Sequence, residues 1–254
     1  MERRPLRMAD AIEDQESPGS PSPRPYLIAL VAAVILNLGL RLRILEHVLH
    51  AHRNAPWLLM EIQRGVLVLF ALLLVAFWWL LLVRVLPGWR RGLVASHRQL
   101  GFLVQLASGM AAANLLSENL TIYRLNLSSY GLLLDSLVLY LGISLIFLFW
   151  YWYLDNPVRR RGVLWEQVRP TAISTPYGIV FPEETLERDV LQSDRWQPGF
   201  IDYAYFAILS SNCFGPPEGH LLVGRPIKVL HSVHSLAMIT VFIVILARAI
   251  NTLS

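Results

Sequence analysis

The sequence contains little charge, one lysine and one cysteine. Only 16% of its 254 residues are charged, Lys228 is the single lysine among 22 basic residues, and Cys213 is the single cysteine. One cysteine excludes an internal disulfide and does not make a metal site by itself. Low charge beside 55% hydrophobic residues excludes a disordered chain and an ordinary cytosolic enzyme, and indicates a protein of the lipid bilayer.

The sequence also lacks the short motifs of common enzymes. It has no G-x-S-x-G, Walker, H-E-x-x-H or Rossmann pattern, so we expect no enzymatic activity and no cofactor. The net charge of +4 comes from arginines that flank apolar runs, where they contact lipid headgroups and set topology. Nucleic acid is therefore not an expected partner, and the lipid bilayer is.

The apolar residues form five runs, and a transmembrane helix needs about 20 such residues to cross about 30 Å of hydrocarbon. We predict an all-α bundle of about five spans at residues 26–40, 65–83, 100–116, 136–154 and 229–247. The third run holds Gln105 and Asn114, so we expect it to pack against protein. Arg41 and Arg43 are expected to reach the interface from a helix end, and residues 150–153 (Trp-Tyr-Trp-Tyr) to form an interfacial aromatic belt.

The remaining composition divides the chain into three parts. Residues 1–25 carry a Ser- and Pro-rich stretch and predict a disordered tail, and residues 26–130 predict the N-terminal transmembrane helices. Residues 131–254 predict a separate module, in which the Pro-rich, charged segment 155–199 is expected to be a water-exposed loop.

A short apolar segment precedes the last span. Residues 200–209 are too few to cross a bilayer, and Ser, Asn, Gly and two Pro follow them at once. This pattern predicts a re-entrant half helix. Non-helical backbone at membrane depth is tolerated only where it is buried in protein or lines a water-filled cavity, so the segment indicates a pore or a substrate site.

Two sets of residues in this region carry a resemblance. The first is the F-x-D-x-x-Y-F pattern of Phe200, Asp202, Tyr205 and Phe206, followed by Gly224 and Arg225 at the start of the last span. The second is the W-x-P-x-F-x-D-Y pattern of Trp196, Pro198, Phe200, Asp202 and Tyr203. The first resembles the pore module of the potassium-channel superfamily, with an outer helix, a pore helix, a filter and an inner helix. The second is similar to bacterial membrane proteins with a pore-like loop.

The resemblance implies ion conduction by a homotetramer in the bacterial inner membrane, because four such loops surround one axis. Monovalent cations are then the expected ions. The family's filter reads T-V-G-Y-G, whereas the same register here reads Cys213, Phe214, Gly215, Pro216 and Pro217. Pro217 fixes φ near −65° where the filter needs a second glycine, so a potassium-selective filter is not expected.

A different lining is expected if the module conducts. Ser210, Ser211 and Asn212 would supply hydroxyl and amide ligands, and Glu218 a carboxylate ring at the mouth. The alternative is a non-conducting scaffold or partner-binding subunit. In a scaffold, residues 210–215 would be buried against neighbouring spans, and a monomer would suffice.

Two further groups are candidates for buried chemistry. His231 and His234 share one helical face at i and i+3, but no cysteine or carboxylate joins them at ligand spacing, so we expect polar residues at a helix start and no metal. Asp135 lies near a span end and is expected to pair with Arg124 or to face a cavity.

The arginines give a conflicting expectation for orientation. With five spans, the basic residues of the tail, of segment 84–98 and of 159–161 lie on one side, which the positive-inside rule makes cytoplasmic. The pore-like loop would then open on the cytoplasmic face, opposite to the arrangement in potassium channels. The charge pattern and the resemblance thus leave two orientations open.

Overall fold

The computed structural model of the chain describes residues 22–50, 57–85, 97–122, 129–168, 178–185, 196–213 and 215–253. Six α-helices occur in these ranges: α1 Arg24–His50, α2 Trp57–Val85, α3 His97–Ile122, α4 Ser129–Val168, α5 Phe200–Cys213 and α6 Arg225–Leu253. All but α5 are long and apolar enough to cross a membrane. The prediction of an all-α bundle with five spans is confirmed. Residues 1–21 of the predicted tail lie outside the described residues, and the prediction is wrong for Arg24 and Pro25, which begin α1.

The weakest predicted span, α3, is stabilised by polar contacts with its neighbours. It has the lowest mean hydropathy of the five, 1.4, and 56% of its most apolar window is buried. The side-chain amide of Asn114 donates to the carbonyl oxygen of Asn37 in α1 at 2.8 Å. This is the expected packing against protein, because amides that bond across helices compensate for low hydropathy.

Arg41 does not reach the interface as predicted. It is only 3% exposed, and its guanidinium donates to the Ser117 hydroxyl at 2.6 Å and to the Gln63 carbonyl at 3.1 Å. Arg43 also points inward, where its Nε lies 2.7 Å from a carboxylate oxygen of Asp135. Arg43 is thus the partner found for Asp135, whereas Arg124 lies outside the described residues. Partners on neighbouring helices compensate for the burial of Arg41, whereas the side chain of Arg43 stays 35% exposed.

The five long helices alternate in direction. Tyr26 of α1 stacks on Trp152 near the end of the membrane-spanning part of α4, whereas Arg43 of α1 meets Asp135 near the start of α4. The start of α3 also meets the last part of α4, because His97 stacks on Tyr153. We call the end where α1, α3 and α6 begin the Asp155 end of the bundle, and the opposite end the Asp135 end.

Helix α4 continues well past the predicted span. The loop predicted to start at residue 155 is wrong for residues 155–168, because α4 runs to Val168 with Pro157 inside it. An ion pair between Asp155 and Arg159, at i and i+4, spans the turn that contains Pro157 and supports its continuation. Beyond the helix lie a short strand and a 3-10 turn, β1 Ile179–Val180 and Pro182–Thr185.

A second short strand, β2 Leu221–Leu222, pairs with β1 in antiparallel register, with Ile179 opposite Leu222 and Val180 opposite Leu221. The pairing holds the segment after α5 against the segment after α4. It therefore fixes where the chain emerges before α6 begins.

Candidate functional site

Helix α5 lies antiparallel along α4. Tyr203, near the start of α5, donates its hydroxyl proton to Asp155, and Asn212, near its end, accepts a hydrogen bond from the Tyr140 hydroxyl at 2.8 Å. Residues 140 and 155 lie about 22 Å apart along α4, at 1.5 Å per residue. The far end of α5 therefore lies about 22 Å along α4 from the Asp155 end.

The segment after α5 runs back to the Asp155 end. We call residues 215–224 the return segment. The ring of His220 lies 5.3 Å from the ring of Phe206 and 5.3 Å from that of Phe181, beside β1. Because β2 then pairs with β1, the chain begins α5 and completes the return segment at the same end of the bundle.

The start of α5 is fixed by a capping contact. The carboxylate of Asp202 accepts a hydrogen bond from the backbone N–H of Gly199 at 2.6 Å. A carboxylate in the first turn that reaches back to the residue before the helix satisfies a free donor and complements the helix dipole. Asp202, selected from the pore-helix pattern, thus positions α5. Of its companions in that pattern, Phe206 is fully buried and Tyr205 is 56% exposed.

A buried ionic cluster holds the Asp155 end together. We call Asp155, Arg159, Ile179, Glu184 and Tyr203 the anchor cluster. Asp155 is 0% exposed and accepts hydrogen bonds from the Ile179 backbone at 2.8 Å, from Tyr203 and from Arg159. Arg159 also donates to Glu184 at 2.5 Å. One carboxylate thus ties α4, β1 and α5 together.

Arg159 is held in its charged form in the anchor cluster. Burial opposes the charged form, but the Asp155 carboxylate and the hydrogen bonds of Glu184 outweigh it and raise the pKa of Arg159 above its ordinary value. The guanidinium also lies 5.4 Å from the ring centroid of Phe181. Arg159 therefore stays positively charged and can pair with both carboxylates.

Deeper between the helices lies a chain of buried polar side chains. We call Ser144, Tyr151, Ser211, His231 and His234 the polar chain. The Tyr151 oxygen lies 2.9 Å from Nδ1 of His234 and 3.1 Å from Nδ1 of His231. Nε2 of His234 lies 3.0 Å from the Ser211 oxygen, which lies 3.0 Å from the Ser144 oxygen. The chain links α4, α5 and α6.

Two sequence expectations change at this point. Tyr151 and Trp152 are 0% and 2% exposed, so the predicted interfacial belt is wrong for both, because α1, α5 and α6 cover that face of α4. His231 and His234 were expected to be polar residues at a helix start. In the structure they are buried and hydrogen-bonded to Tyr151. The i, i+3 spacing places both histidines on one helical face. Their shared partner Tyr151 could not be predicted, because it lies 80 and 83 residues away in the sequence.

The structure separates the predicted filter-like residues into two groups. Ser210 and Ser211 are fully buried, and Pro217 is buried as well. Asn212, Pro216 and Glu218 are exposed, and Gly215 is partly exposed. Cys213 ends α5, whereas its side chain and residue Phe214 lie outside the described part. The exposed polar face of this region is therefore the return segment together with Asn212.

The filter-like register predicted from the sequence has its glycine at Gly215. The glycines with positive φ in the return segment lie elsewhere. The left-handed backbone occurs at Gly219, with φ of 81°, and at Gly224, with φ of 98°. These two glycines flank β2, where the chain turns into the strand and then into α6. They serve the turns, because residues with a Cβ rarely adopt positive φ.

Within the described residues, no group of three His, Cys, Asp or Glu side chains is arranged to hold a metal ion. The fold defines the class of this chain: an integral membrane protein of the polytopic α-helical kind. The chain matches no protein-family model, no curated protein and no solved structure.

Proposed function

We propose that α4, α5, the return segment and α6 form a pore-type module, in which α5 is a re-entrant helix and a ring of modules conducts ions. The observation that carries the proposal is the path of the chain, since α5 begins and the return segment ends at the Asp155 end. An antiparallel helix pair with a short helix packed against both is also the arrangement implied by the likeness to potassium channels.

Exposure indicates what would line such a pore. Pro216 and Glu218 are exposed in the protomer, whereas Ser210 and Ser211 face neighbouring helices. We therefore assign the lining to the backbone carbonyls of the return segment and to the carboxylate of Glu218, in place of the two serines. A ring of carboxylates attracts cations, and Pro217 removes the geometry that potassium selectivity needs.

The number of modules and the membrane face follow from the same geometry. One module has one return segment, so a pore requires a ring of protomers, and we propose a homotetramer. Arg84, Arg98 and Arg159 lie near span ends at the Asp155 end, where the positive-inside rule predicts the cytoplasm. We propose a bacterial inner membrane, with α5 inserting from the cytoplasmic face.

Single-channel recording in planar bilayers tests conduction. Wild-type protein is expected to pass monovalent cations, and Glu218→Gln to lower the cation-to-anion permeability ratio several-fold because the carboxylate ring is lost. Gly215→Ala is expected to change the single-channel amplitude. Glu61→Gln is the matched control, since Glu61 is an exposed carboxylate on α2 that pairs only with Arg64 in the described structure. Silence at all voltages and pH values from folded protein would contradict the proposal.

A non-conducting scaffold is the second candidate, and two observations favour it. Ser210 and Ser211 are buried against neighbouring helices, as a scaffold predicts for residues 210–215, although Asn212 is exposed and Gly215 is partly exposed. In addition, only 17% of the apolar window of α2 is buried, which leaves Val68, Leu72 and Val75 exposed to lipid or to a partner helix. Native mass spectrometry from detergent separates the candidates, because a pore requires a ring and a scaffold is complete as a monomer.

A further inference from the structure

A groove of about 490 Å³ lies between α3, α4 and α6. We call it the lateral groove, and its walls include Ala112, Leu115, Phe147, Trp150, Val229 and Val233. Ala112, Val229 and Val233 are exposed, so the groove opens sideways toward the lipid. Its described lining residues belong neither to the return segment nor to the polar chain.

The walls of the lateral groove leave no polar side chain free for a ligand. Among the described lining residues only Ser108 and Trp150 carry polar side-chain atoms, and these two bond to each other. The indole N–H of Trp150 donates to the Ser108 hydroxyl at 2.9 Å, and that hydroxyl donates to the Val104 carbonyl at 2.8 Å. A trapped water molecule needs two to four polar partners, so the groove favours hydrocarbon as its occupant.

The length of the lateral groove matches one leaflet of a bilayer. Its walls run from Leu154 to Ile143 on α4 and from Pro226 to Ala237 on α6, about 17 Å at 1.5 Å per residue. One end lies within three residues of the ends of both spans, at the Asp155 end of the bundle. Half of a hydrocarbon core of about 30 Å is about 15 Å, so the groove extends from the interface to the bilayer centre.

The width of the lateral groove excludes a helix as the occupant. Its volume divided by its length gives a mean cross-section of about 30 Å². A helix with side chains is about 10–12 Å across and needs more than twice that area. One extended hydrocarbon chain fits, because non-bonded carbon atoms pack about 4 Å apart.

Basic side chains surround the end of the lateral groove at the Asp155 end. Arg225 is the first residue of α6, and Arg98 lies in the first turn of α3; both are exposed. His97 stacks on Tyr153, which brings the start of α3 beside Leu154 of the groove wall. Within the described part of the chain, neither Arg98 nor Arg225 has an ion-pair partner. Basic pockets between transmembrane helices bind anionic lipid headgroups.

We propose that the lateral groove binds one anionic phospholipid from the leaflet at the Asp155 end. One acyl chain lies along α4 and α6, and the phosphate lies between Arg98 and Arg225. Because α3 and α6 both begin at this end, the positive ends of their helix dipoles also favour the phosphate. The site lies within one protomer and does not require a ring, so it goes beyond the proposed pore.

Native mass spectrometry of delipidated full-length protein in a non-ionic detergent tests the headgroup part of the proposal. Phosphatidylglycerol is compared with phosphatidylcholine that has the same two acyl chains. We expect one phosphatidylglycerol per protomer, bound several-fold more tightly than phosphatidylcholine. The double variant Arg98→Gln with Arg225→Gln is expected to lower the affinity for phosphatidylglycerol about tenfold and to leave that for phosphatidylcholine unchanged.

Arg64→Gln is the matched control for the charge. Arg64 is an exposed arginine near the start of α2, at the Asp135 end, so its loss should leave the affinity for both lipids unchanged. Equal affinity of the wild type for the two lipids, or an equal effect of Arg64→Gln and the double variant, overturns the proposal.

Ala112→Phe tests the groove itself. The new ring enters the lateral groove from its exposed side, so we expect the affinity for both lipids to fall several-fold, whatever the headgroup. Ala71→Phe makes the same change at an exposed position of α2 and should leave both affinities unchanged. Circular dichroism checks that both variants are folded. Unchanged binding by folded Ala112→Phe places the lipid outside the groove and overturns the proposal.

Fluorescence locates the acyl chain independently of affinity. Trp150 lines the lateral groove, and bromine atoms on an acyl chain quench an indole that they contact. One brominated phosphatidylglycerol per protomer is expected to quench the wild type, and Trp150→Phe to remove most of that quenching. Quenching that is the same in both proteins contradicts the site. Neither readout depends on conduction, so single-channel recording still reports the proposed pore separately.

Discussion

Replacing Asp155 by alanine is expected to lower the free energy of unfolding by about 3–5 kcal/mol, the cost of removing one partner of a buried charge pair. The carboxylate is 0% exposed and serves three donors from three parts of the chain. Its loss leaves the Ile179 N–H and the Tyr203 hydroxyl without their acceptor. Unfolding in mixed micelles of increasing sodium dodecyl sulfate fraction, followed by circular dichroism, measures the change.

The control for Asp155 is an exposed ion pair in the same chain. Glu61 and Arg64 lie 2.6 Å apart on α2, and their side chains are 55% and 63% exposed. Pairs of this kind contribute about 0–1 kcal/mol, so Glu61→Gln should leave the unfolding midpoint nearly unchanged. Equal midpoints for Asp155→Ala and Glu61→Gln would show that the anchor cluster does not hold the Asp155 end together.

Gly178→Ala is expected to detach β1 from α4. A Cβ at residue 178 would lie 1.8 Å from Oδ1 of Asp155 and 3.0 Å from its Cγ, so either the strand or the carboxylate must move. Movement breaks the hydrogen bond from the Ile179 backbone to Asp155, and overpacking of this kind costs about 1–3 kcal/mol before that loss is counted. Limited proteolysis of the segment around residues 178–185 is expected to become faster, alongside a lower unfolding midpoint.

Gly65→Ala is the matched control and has the opposite expected sign. No atom lies within 4 Å of a Cβ built at Gly65, which sits inside α2. Alanine there should stabilise the helix by about 0.5–1 kcal/mol. If Gly178→Ala leaves both proteolysis and the midpoint unchanged, the close approach of β1 to Asp155 is not part of the native fold.

The helices were predictable because hydropathy and length decide which segments cross a bilayer. Even α3 followed from the sequence, since Asn114 indicated packing against protein and does bond to Asn37, whereas Gln105, the other residue behind that expectation, is exposed. The extent of α4 was not predictable from its composition. Pro157 and the charges after it indicate a loop, whereas in the structure the ion pair from Asp155 to Arg159 spans the turn that contains Pro157.

The candidate site was predictable only in part, because its contacts join residues far apart in sequence. The segment that contains α5 was selected by its apolar length and by the Gly and Pro residues after it. The partners of Asp155 lie 24 and 48 residues away, and those of Tyr151 lie 80 and 83 residues away. Spacing along the chain carries no signal for such contacts.

The burial of Tyr151 shows why the aromatic belt was predicted wrongly. A run of Trp and Tyr at the end of an apolar segment is typical of an interface with lipid headgroups. Here α5 packs over the same turn of α4, and the ring of Phe206 meets that of Tyr151 at 4.8 Å. The covering helix comes some 50 residues later, so the hydropathy of α4 alone could not reveal it.

The most direct test of the account asks whether the chain enters and leaves the bundle at one membrane face. Gln197 and Glu218 are both exposed and lie on either side of α5, and Trp57 at the start of α2 is 76% exposed at the opposite end. Each is replaced in turn by cysteine in a Cys213→Ser background and labelled with a membrane-impermeant maleimide in oriented vesicles. The account predicts that residues 197 and 218 label from the same side, the cytoplasmic one, and residue 57 from the other. Labelling of residues 197 and 218 from opposite sides would make α5 a spanning helix and contradict the re-entrant module.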